Sequence, residues 1–231
     1  MKCQTETLLT PVYLKTRPDM PWPEDRAFYL LTGAGLFVCR NYPFFRSCTP
    51  AKDWPSELAF HEPFFQPRFP IIDRRLIQEI VGFFDEVASI HRAEAAVLLG
   101  WDAAARRVEP IVPPQVATIE RTSSGYVYPV GLHYEVPANL PANLTIFGDI
   151  HSHAHCRAYA SWVDKDDEAH RTGLHIVVGC IDEEPPEFHV EAVADGTRFS
   201  LRRDQAFEGY KQRSRDFPLE WLDKIQVETE R

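Results

Sequence analysis

Apolar residues recur every three or four positions from Ile71 to Ile90, which predicts a long amphipathic helix. The repeat consists of Ile72, Leu76, Ile80, Phe83, Phe84 and Val87. A second, short helix is predicted from Ser161 to Arg171, where the residues are mostly polar. The tail at 201–231 is charged with apolar breaks, and we expect it to form a terminal helix.

Shorter apolar runs predict strands, because they are rich in β-branched residues and end at glycine, proline or aspartate. The predicted single strands are Glu94–Gly100, Val108–Ile119, Asn143–His151 and Leu174–Gly179. Two hairpins are also predicted, each around a glycine-bearing turn: Ala27–Leu31 with Leu36–Cys39, and Phe188–Val193 with Arg198–Leu201. Five prolines between Asn41 and Phe69 predict an ordered segment dominated by loops.

The composition is that of a folded, water-soluble protein, with 231 residues, 44% hydrophobic and 26% charged. The formal net charge of −9 argues against general nucleic-acid binding, which needs a basic surface. No apolar run is long enough for a membrane span, and the first twenty or so residues contain no pattern typical of a secretory signal. The five scattered cysteines include no Cys-x-x-Cys pair, so we expect neither a disulfide framework nor a cysteine zinc cluster, and the cytoplasm is the expected location.

The segment from Asp149 to Asp164 contains most of the candidate chemistry. His151 and His153 are two residues apart, so on a strand both imidazoles face the same side and can reach one ion. Asp164 follows in the first turn of the predicted second helix. Two histidines and one carboxylate leave one tetrahedral position open for water, which is typical of a catalytic zinc site.

Two further residues complete a hydrolytic site, although each also has a structural interpretation. Glu94, just before an apolar strand, could carry a proton, or it could be a solvated carboxylate at the strand end. Ser161 could donate a hydrogen bond to an oxyanion, while Ser161-x-x-Asp164 is also a helix capping box. The two roles of the serine are compatible, because a capped helix start would hold Asp164 in place.

The order of these residues resembles the signature of the JAMM (MPN-plus, or JAB-domain) zinc metalloproteases. In that signature a glutamate before a strand is followed by H-x-H, seven residues, S, two residues and D, and every one of these positions is matched here. The resemblance spans roughly residues 71–200. It implies zinc ligands at His151, His153 and Asp164, one Zn²⁺ per chain, a general acid/base at Glu94 and an oxyanion stabiliser at Ser161.

The resemblance also implies an α/β (α+β) fold with a mixed central sheet flanked by helices. We therefore expect three regions: an N-terminal extension with a β-hairpin at 1–70, the catalytic core at 71–200 and the tail at 201–231. The extension could dock a substrate or act as a structural cap. Two positions depart from many family members: Ala154 replaces a proline, which affects the shape of the loop that leads to Ser161, and Ala96 replaces a glycine.

Neighbouring polar residues are expected to play smaller parts. His155 could contact substrate or be solvated, and Cys156 is not needed as a ligand. Asp166, Asp167 and Glu168 are expected on the exposed face of the second helix, where the dipole favours negative charge near the N-terminus. The other histidines of the core are interpreted as structural: His133, His170, His175 and His189.

JAMM enzymes mostly cleave after the C-terminal tail of ubiquitin or a ubiquitin-like protein, which is therefore the expected partner, free or conjugated. The chain resembles compact bacterial members encoded beside ubiquitin-like conjugation machinery, in Bil-type antiphage or PRTRC-type operons, where activating and conjugating enzymes are further candidate partners. A PHP or amidohydrolase barrel shares D-x-H-x-H, but only about 80 residues follow Asp149, too few for a fold of about 250. A metal-free MPN scaffold is the third alternative.

Overall fold

The computed structural model describes residues 10–230, so that Cys3 lies outside the described part of the chain. The chain divides into two compact units with a boundary between Pro63 and Phe64. Each unit is described separately. Within residues 10–230, no helix is long and apolar enough to cross a membrane.

The first unit is built on one four-stranded sheet with the order β1-β2-β3-β4. Its strands are Val12–Leu14, Ala27–Thr32, Gly35–Tyr42 and Phe45–Pro50. The predicted hairpin around Gly33 is confirmed, because β2 pairs antiparallel with β3. The expectation of loops after Asn41 is wrong for β4, which pairs antiparallel with β3 through a tight turn at Pro43. A small core of Phe28, Leu30 and Cys39 holds this unit together.

The second unit, as far as residue 230, contains two α-helices, two 3₁₀ helices and nine strands. The helices are α1 (Arg74–His91), α2 (Trp162–Glu168), and the 3₁₀ helices Arg203–Gln205 and Leu219–Lys224. The strands are β5 (Ala96–Asp102), β6 (Arg107–Ile111), β7 (Gln115–Arg121), β8 (Val127–Tyr134), β9 (Leu144–Ser152), β10 (Gly173–Gly179), β11 (Glu187–Ala194), β12 (Thr197–Ser200) and β13 (Ile225–Glu230).

A mixed six-stranded sheet forms the centre of this unit, in the order β12-β11-β10-β9-β5-β6. Only β9 and β10 are parallel, and α2 lies in the connection between them. The predicted α+β class with a mixed central sheet is therefore correct. The hairpin of β11 and β12 is confirmed as well, with Asp195 and Gly196 both at positive φ, as a type I′ turn requires.

Helix α1 covers the core as its apolar repeat predicts. Asp73 caps its start by accepting a hydrogen bond from the Arg75 backbone, and Arg92 ends it in the left-handed conformation. Its buried face includes Ile80, Phe83 and Phe84, all with no exposed surface, and it packs into one cluster with residues of β5, β9 and β10. The resulting apolar core fixes the strands that carry the candidate site.

Two predicted elements are wrong. The single strand expected at Val108–Ile119 is two strands in different sheets, β6 and β7, because Pro113 and Pro114 lie between them and cannot donate to a ladder. The expected terminal helix is replaced by 3₁₀ turns and β13, which pairs parallel with β7. Ile225 and Val227 are half-buried and alternate with exposed polar residues, as in a strand with one buried face.

Candidate metal centre

The three predicted ligands meet at the end of strand β9. His151 lies within β9, His153 follows directly after it, and Asp164 lies in the first turn of α2. The Nε2 atom of His151 is 3.5 Å from Asp164 Oδ1, and the Nε2 atom of His153 is 3.3 Å from Asp164 Oδ2. One ligand atom from each residue lies within 4.8 Å of the others, as donors to one ion must.

The sheet sets the direction of both imidazoles. His151 stands opposite Ala96 of β5 in the antiparallel register. The backbone N–H of His153 donates to Val178 on β10, and its ring Nδ1 lies 3.3 Å from the Arg157 carbonyl oxygen. With Nδ1 occupied in this way, the Nε2 atom of His153 faces Asp164.

A capping box holds Asp164. Its backbone N–H donates to Ser161 Oγ at 3.1 Å, and its Oδ2 accepts from the Ser161 backbone N–H at 2.6 Å. The structural interpretation of this pair is therefore correct, and it is compatible with a ligand role because the capped carboxylate lies next to the two histidines. Ser161 Oγ acts as an acceptor in the cap, which leaves its hydroxyl proton available to the adjoining cavity.

The electrostatics of the centre suit a cation. Burial lowers the pKa of His151, but the carboxylates of Asp149 and Asp164 outweigh it and raise the pKa to about 10. Burial alone would raise the pKa of Asp164, yet the two histidines bring it well below its usual range. His151 Nε2 is buried and makes no hydrogen bond. Two imidazoles, one of them with this unpaired nitrogen, and a carboxylate fit a zinc ion.

Glu94 lies beside the three ligands, although it precedes the first residue of β5. The antiparallel register pairs Ala96 with His151, and continuing it places Glu94 across from His153 on the same face. Glu94 lines the same cavity of about 280 Å³ as the two histidines and Asp164. Burial raises its pKa, Asp164 raises it further, and the nearby histidines oppose this shift.

The loop after His153 has a shape of its own. Ala154 is fully buried and has φ of 47°, a left-handed conformation that proline cannot adopt. Its carbonyl oxygen accepts from the Ile181 backbone N–H at 2.9 Å. A proline could not replace Ala154 in this loop without a change in its backbone conformation.

The predictions for the other polar residues near the site are only partly correct. His155 is exposed and lies 3.1 Å from Arg92, and Cys156 is exposed at the rim of the cavity. The expectation for Glu168 is wrong: it is 1% exposed and turns inward, because the Arg198 guanidinium lies 2.8 Å from its carboxylate. Asp166 and Asp167 are exposed as expected. Of the histidines interpreted as structural, His133 and His170 are exposed and His189 is half-buried beside Glu191.

Sequence reasoning missed one set of residues next to the ligands. Asp149, two residues before His151, is buried and contacts both His175 and Arg171. The sequence signal for Asp149 is its position two residues before His151, because residues two apart on a strand lie on the same face.

Comparisons with solved structures give distant likenesses. A JAB1/MPN domain protein from Archaeoglobus fulgidus aligns with 57% of this chain and 94% of its own chain, at 20% identity and a TM-score of 0.35. A protein from Desulfitobacterium hafniense, whose structure was determined in solution, aligns with 62% of this chain and 94% of its own, at 13% identity and a TM-score of 0.36. No protein-family model and no curated protein matches the chain.

Proposed function

We propose that this chain is a zinc-dependent peptidase or isopeptidase that cleaves after the C-terminal tail of a ubiquitin-like protein. The observation that carries the proposal is the meeting of His151, His153 and Asp164 beside Glu94 in one cavity. The matching JAMM spacing supports this assignment. His151, His153 and Asp164 would hold one zinc ion, which supplies Lewis acidity towards water and a carbonyl oxygen when bound.

Glu94 and Ser161 have separate roles in this reaction. Glu94 takes a proton from the attacking water and delivers it to the leaving amine, and its half-buried position favours such a carrier. Ser161 donates its hydroxyl proton to the developing oxyanion, while its backbone N–H keeps Asp164 in place. The two roles of Ser161 are compatible because the capping box does not use its hydroxyl proton.

The surroundings of the cavity support an extended peptide as the substrate. Large apolar side chains stand exposed around its opening, with Tyr159 at 52%, Trp162 at 81% and Val163 at 42% exposure. Exposed apolar groups beside a buried polar centre are typical of a binding site. We infer a tail with apolar side chains next to the scissile bond, held by these residues.

The test uses the full chain loaded with one equivalent of zinc. The probes are ubiquitin and a panel of bacterial ubiquitin-like proteins, each with a fluorogenic coumarin amide at its C-terminus. We expect zinc-dependent release of coumarin from at least one probe, and Glu94→Gln should lower the rate at least a hundredfold. The matched control Glu86→Gln changes an exposed glutamate of α1 and should keep the wild-type rate.

Three results would contradict the proposal: cleavage that persists in Glu94→Gln, cleavage that ignores a zinc chelator, or no cleavage of any probe by the zinc-loaded protein. The last result together with stoichiometric zinc would leave a metal hydrolase with another substrate. An absence of zinc binding would favour a scaffold.

The linear strand order of the central sheet, with β12 and β6 at its two ends, does not support the barrel alternative.

A further inference from the structure

A network of buried charges lies next to the metal centre and shares none of its three ligands. Asp149, Glu168 and His175 are 2%, 1% and 3% exposed. Asp149 on β9 and His175 on β10 are direct neighbours in the parallel register, so their side chains lie on one face of the sheet. Groups of this kind are rarely buried unless each one has a partner.

The two oxygens of Asp149 have different surroundings. Oδ2 lies 3.0 Å from His175 Nδ1 and 3.3 Å from Arg171. Oδ1 is buried and makes no hydrogen bond. It lies 3.9 Å from Nδ1 of His151, the ring nitrogen that faces away from Asp164. The carboxylate is thus anchored through one oxygen and presents the other to a candidate zinc ligand.

The far side of the network fixes the anchor. His175 Nε2 lies 2.9 Å from the Arg171 carbonyl oxygen, and Arg171 also contacts the Tyr134 hydroxyl at 3.2 Å. Arg198 bridges Glu168 and Glu191 at 2.8 and 3.0 Å. Rotation of the Asp149 side chain would therefore break its contacts with His175 on β10 and with Arg171 in the loop before β10.

We propose that Asp149 is a positioning residue for the metal centre. In the zinc-loaded protein its Oδ1 would accept a hydrogen bond from the Nδ1–H of His151, which lies 3.9 Å away in the structure, and this bond would fix the tautomer that leaves Nε2 free for zinc. A carboxylate behind a ligating imidazole holds the ring in place and makes it a stronger ligand. His153 receives the equivalent support from the Arg157 carbonyl oxygen. This inference rests on the proposed function, because it needs His151 to bind zinc.

A second metal ion at Asp149, Glu168 and His175 is the competing explanation, since these residue types also form a possible ligand set. The charges argue against it. Arg171 faces the Asp149 carboxylate and Arg198 faces the Glu168 carboxylate, so both negative charges are already compensated. A divalent cation would add charge next to two guanidinium groups, which is unfavourable.

The test measures zinc affinity of the full chain by competition with a chromogenic chelator. Asp149→Asn should weaken zinc binding about ten- to a hundredfold. The matched control is Asp85→Asn, the same change at a half-buried carboxylate of helix α1 that Arg213 contacts at 2.7 Å and that lies outside this network. We expect this control to stay within about threefold of the wild type. Thermal melting of each zinc-free variant shows whether it is folded.

A selective loss of affinity in Asp149→Asn supports the proposal, and equal affinities in the two variants overturn it. If Asp149→Asn does not fold, the tautomer of His151 in the zinc-loaded wild type decides, read from its imidazole ¹⁵N shifts: a proton on Nδ1 that is hydrogen-bonded supports the proposal, and an Nδ1 without such a bond overturns it. Failure of the wild type to bind zinc would instead refute the proposed function.

Discussion

Ala154 shows how much the site depends on a single backbone conformation. It follows directly after His153, is fully buried and has φ of 47°. Only glycine adopts this region without strain, and an alanine there costs roughly 1 kcal/mol. The surrounding hydrogen bonds, from Ile181 to the Ala154 carbonyl and from Cys156 to His153, maintain the conformation.

Replacing Ala154 by proline, the residue common in the resembling family, is therefore expected to damage this protein. Proline fixes φ near −65°, so the loop would have to move away from β10 and would displace His153. We expect Ala154→Pro to lower the free energy of unfolding by more than about 1 kcal/mol and zinc affinity at least tenfold. The measurements are urea unfolding and chelator competition.

The matched control is Ala154→Gly, which permits the same φ and loses only one buried methyl group. Its stability should remain within about 1 kcal/mol of the wild type, because the relief of strain offsets the lost burial. A proline variant as stable and as zinc-competent as the glycine variant would contradict this account of the loop.

At the residue scale, the meeting of the three candidate ligands could be predicted from the sequence because their spacing is local. His151 and His153 share one strand face, and Asp164 belongs to the next helix. The partners of Asp149 could not be found in this way. His175 becomes its neighbour only through the register of β9 and β10, which a single sequence does not encode as a spacing.

At the element scale, the end of strand β10 determines the path of the ligand loop. A Cβ atom added at Gly179 would lie 2.2 Å from the Ala158 nitrogen and 2.5 Å from the Cys156 carbonyl oxygen. These are backbone atoms, so the loop cannot make room by rotating a side chain. The loop that leads from His153 to Ser161 therefore depends on a glycine in the neighbouring strand.

Gly179→Ala is expected to push this loop outward and to separate His153 from Asp164. We expect a loss of about 1–3 kcal/mol in stability, as for overpacking elsewhere, together with weaker zinc binding. The control is Gly131→Ala in β8, where an added Cβ would meet only Thr118 at 3.9 Å and the melting temperature should hardly change. Equal melting temperatures for the two variants would show that the loop tolerates the contact.

The sequence predicts an element correctly where one periodicity dominates its apolar residues. It predicts poorly where interrupting residues or pairing with a distant strand decide the structure. Helix α1 and strands β9 and β10 follow from their apolar patterns. Strand β8, Val127–Tyr134, was missed, because Pro129 and Gly131 interrupt it and its burial is only partial. The sequence predicts helix where β13 forms, because charged residues conceal the alternation of buried and exposed side chains. This alternation becomes visible only in the pairing of β13 with β7.

At the scale of the second unit, Arg213 joins segments that are far apart in the sequence. Its guanidinium lies 2.7 Å from Asp85 of helix α1 and 2.9 Å from Glu184, and it donates to the Ile181 carbonyl oxygen at 2.8 Å. Burial raises the pKa of Glu184, but the hydrogen bonds from Arg213 outweigh it and lower the pKa below its ordinary value of 4.5.

This lowered pKa gives a pH-dependent prediction. A carboxyl whose pKa is depressed by folding stabilises the protein above its unfolded pKa, and the contribution disappears as the pH falls through the folded pKa. We expect Arg213→Met to cost about 1–3 kcal/mol at pH 7, and the difference from the wild type should shrink below pH 4.5. Unfolding in urea at pH 7, 5, 4 and 3 measures this.

The control is Arg202→Met, which removes an exposed arginine paired only at the surface with Asp204. It should cost less than about 0.5 kcal/mol at every pH. A difference between Arg213→Met and the wild type that grows on acidification would have the wrong sign for this network.

The central claim is that His151, His153 and Asp164 together hold one zinc ion. Zinc K-edge X-ray absorption on the full, zinc-loaded chain, with metal content measured on the same sample, tests it most directly. The account predicts one zinc per chain, surrounded only by nitrogen and oxygen at about 2.0–2.1 Å, with the multiple-scattering signature of two imidazoles. Substoichiometric zinc, or a sulfur neighbour at about 2.3 Å from a cysteine such as Cys156, would contradict it.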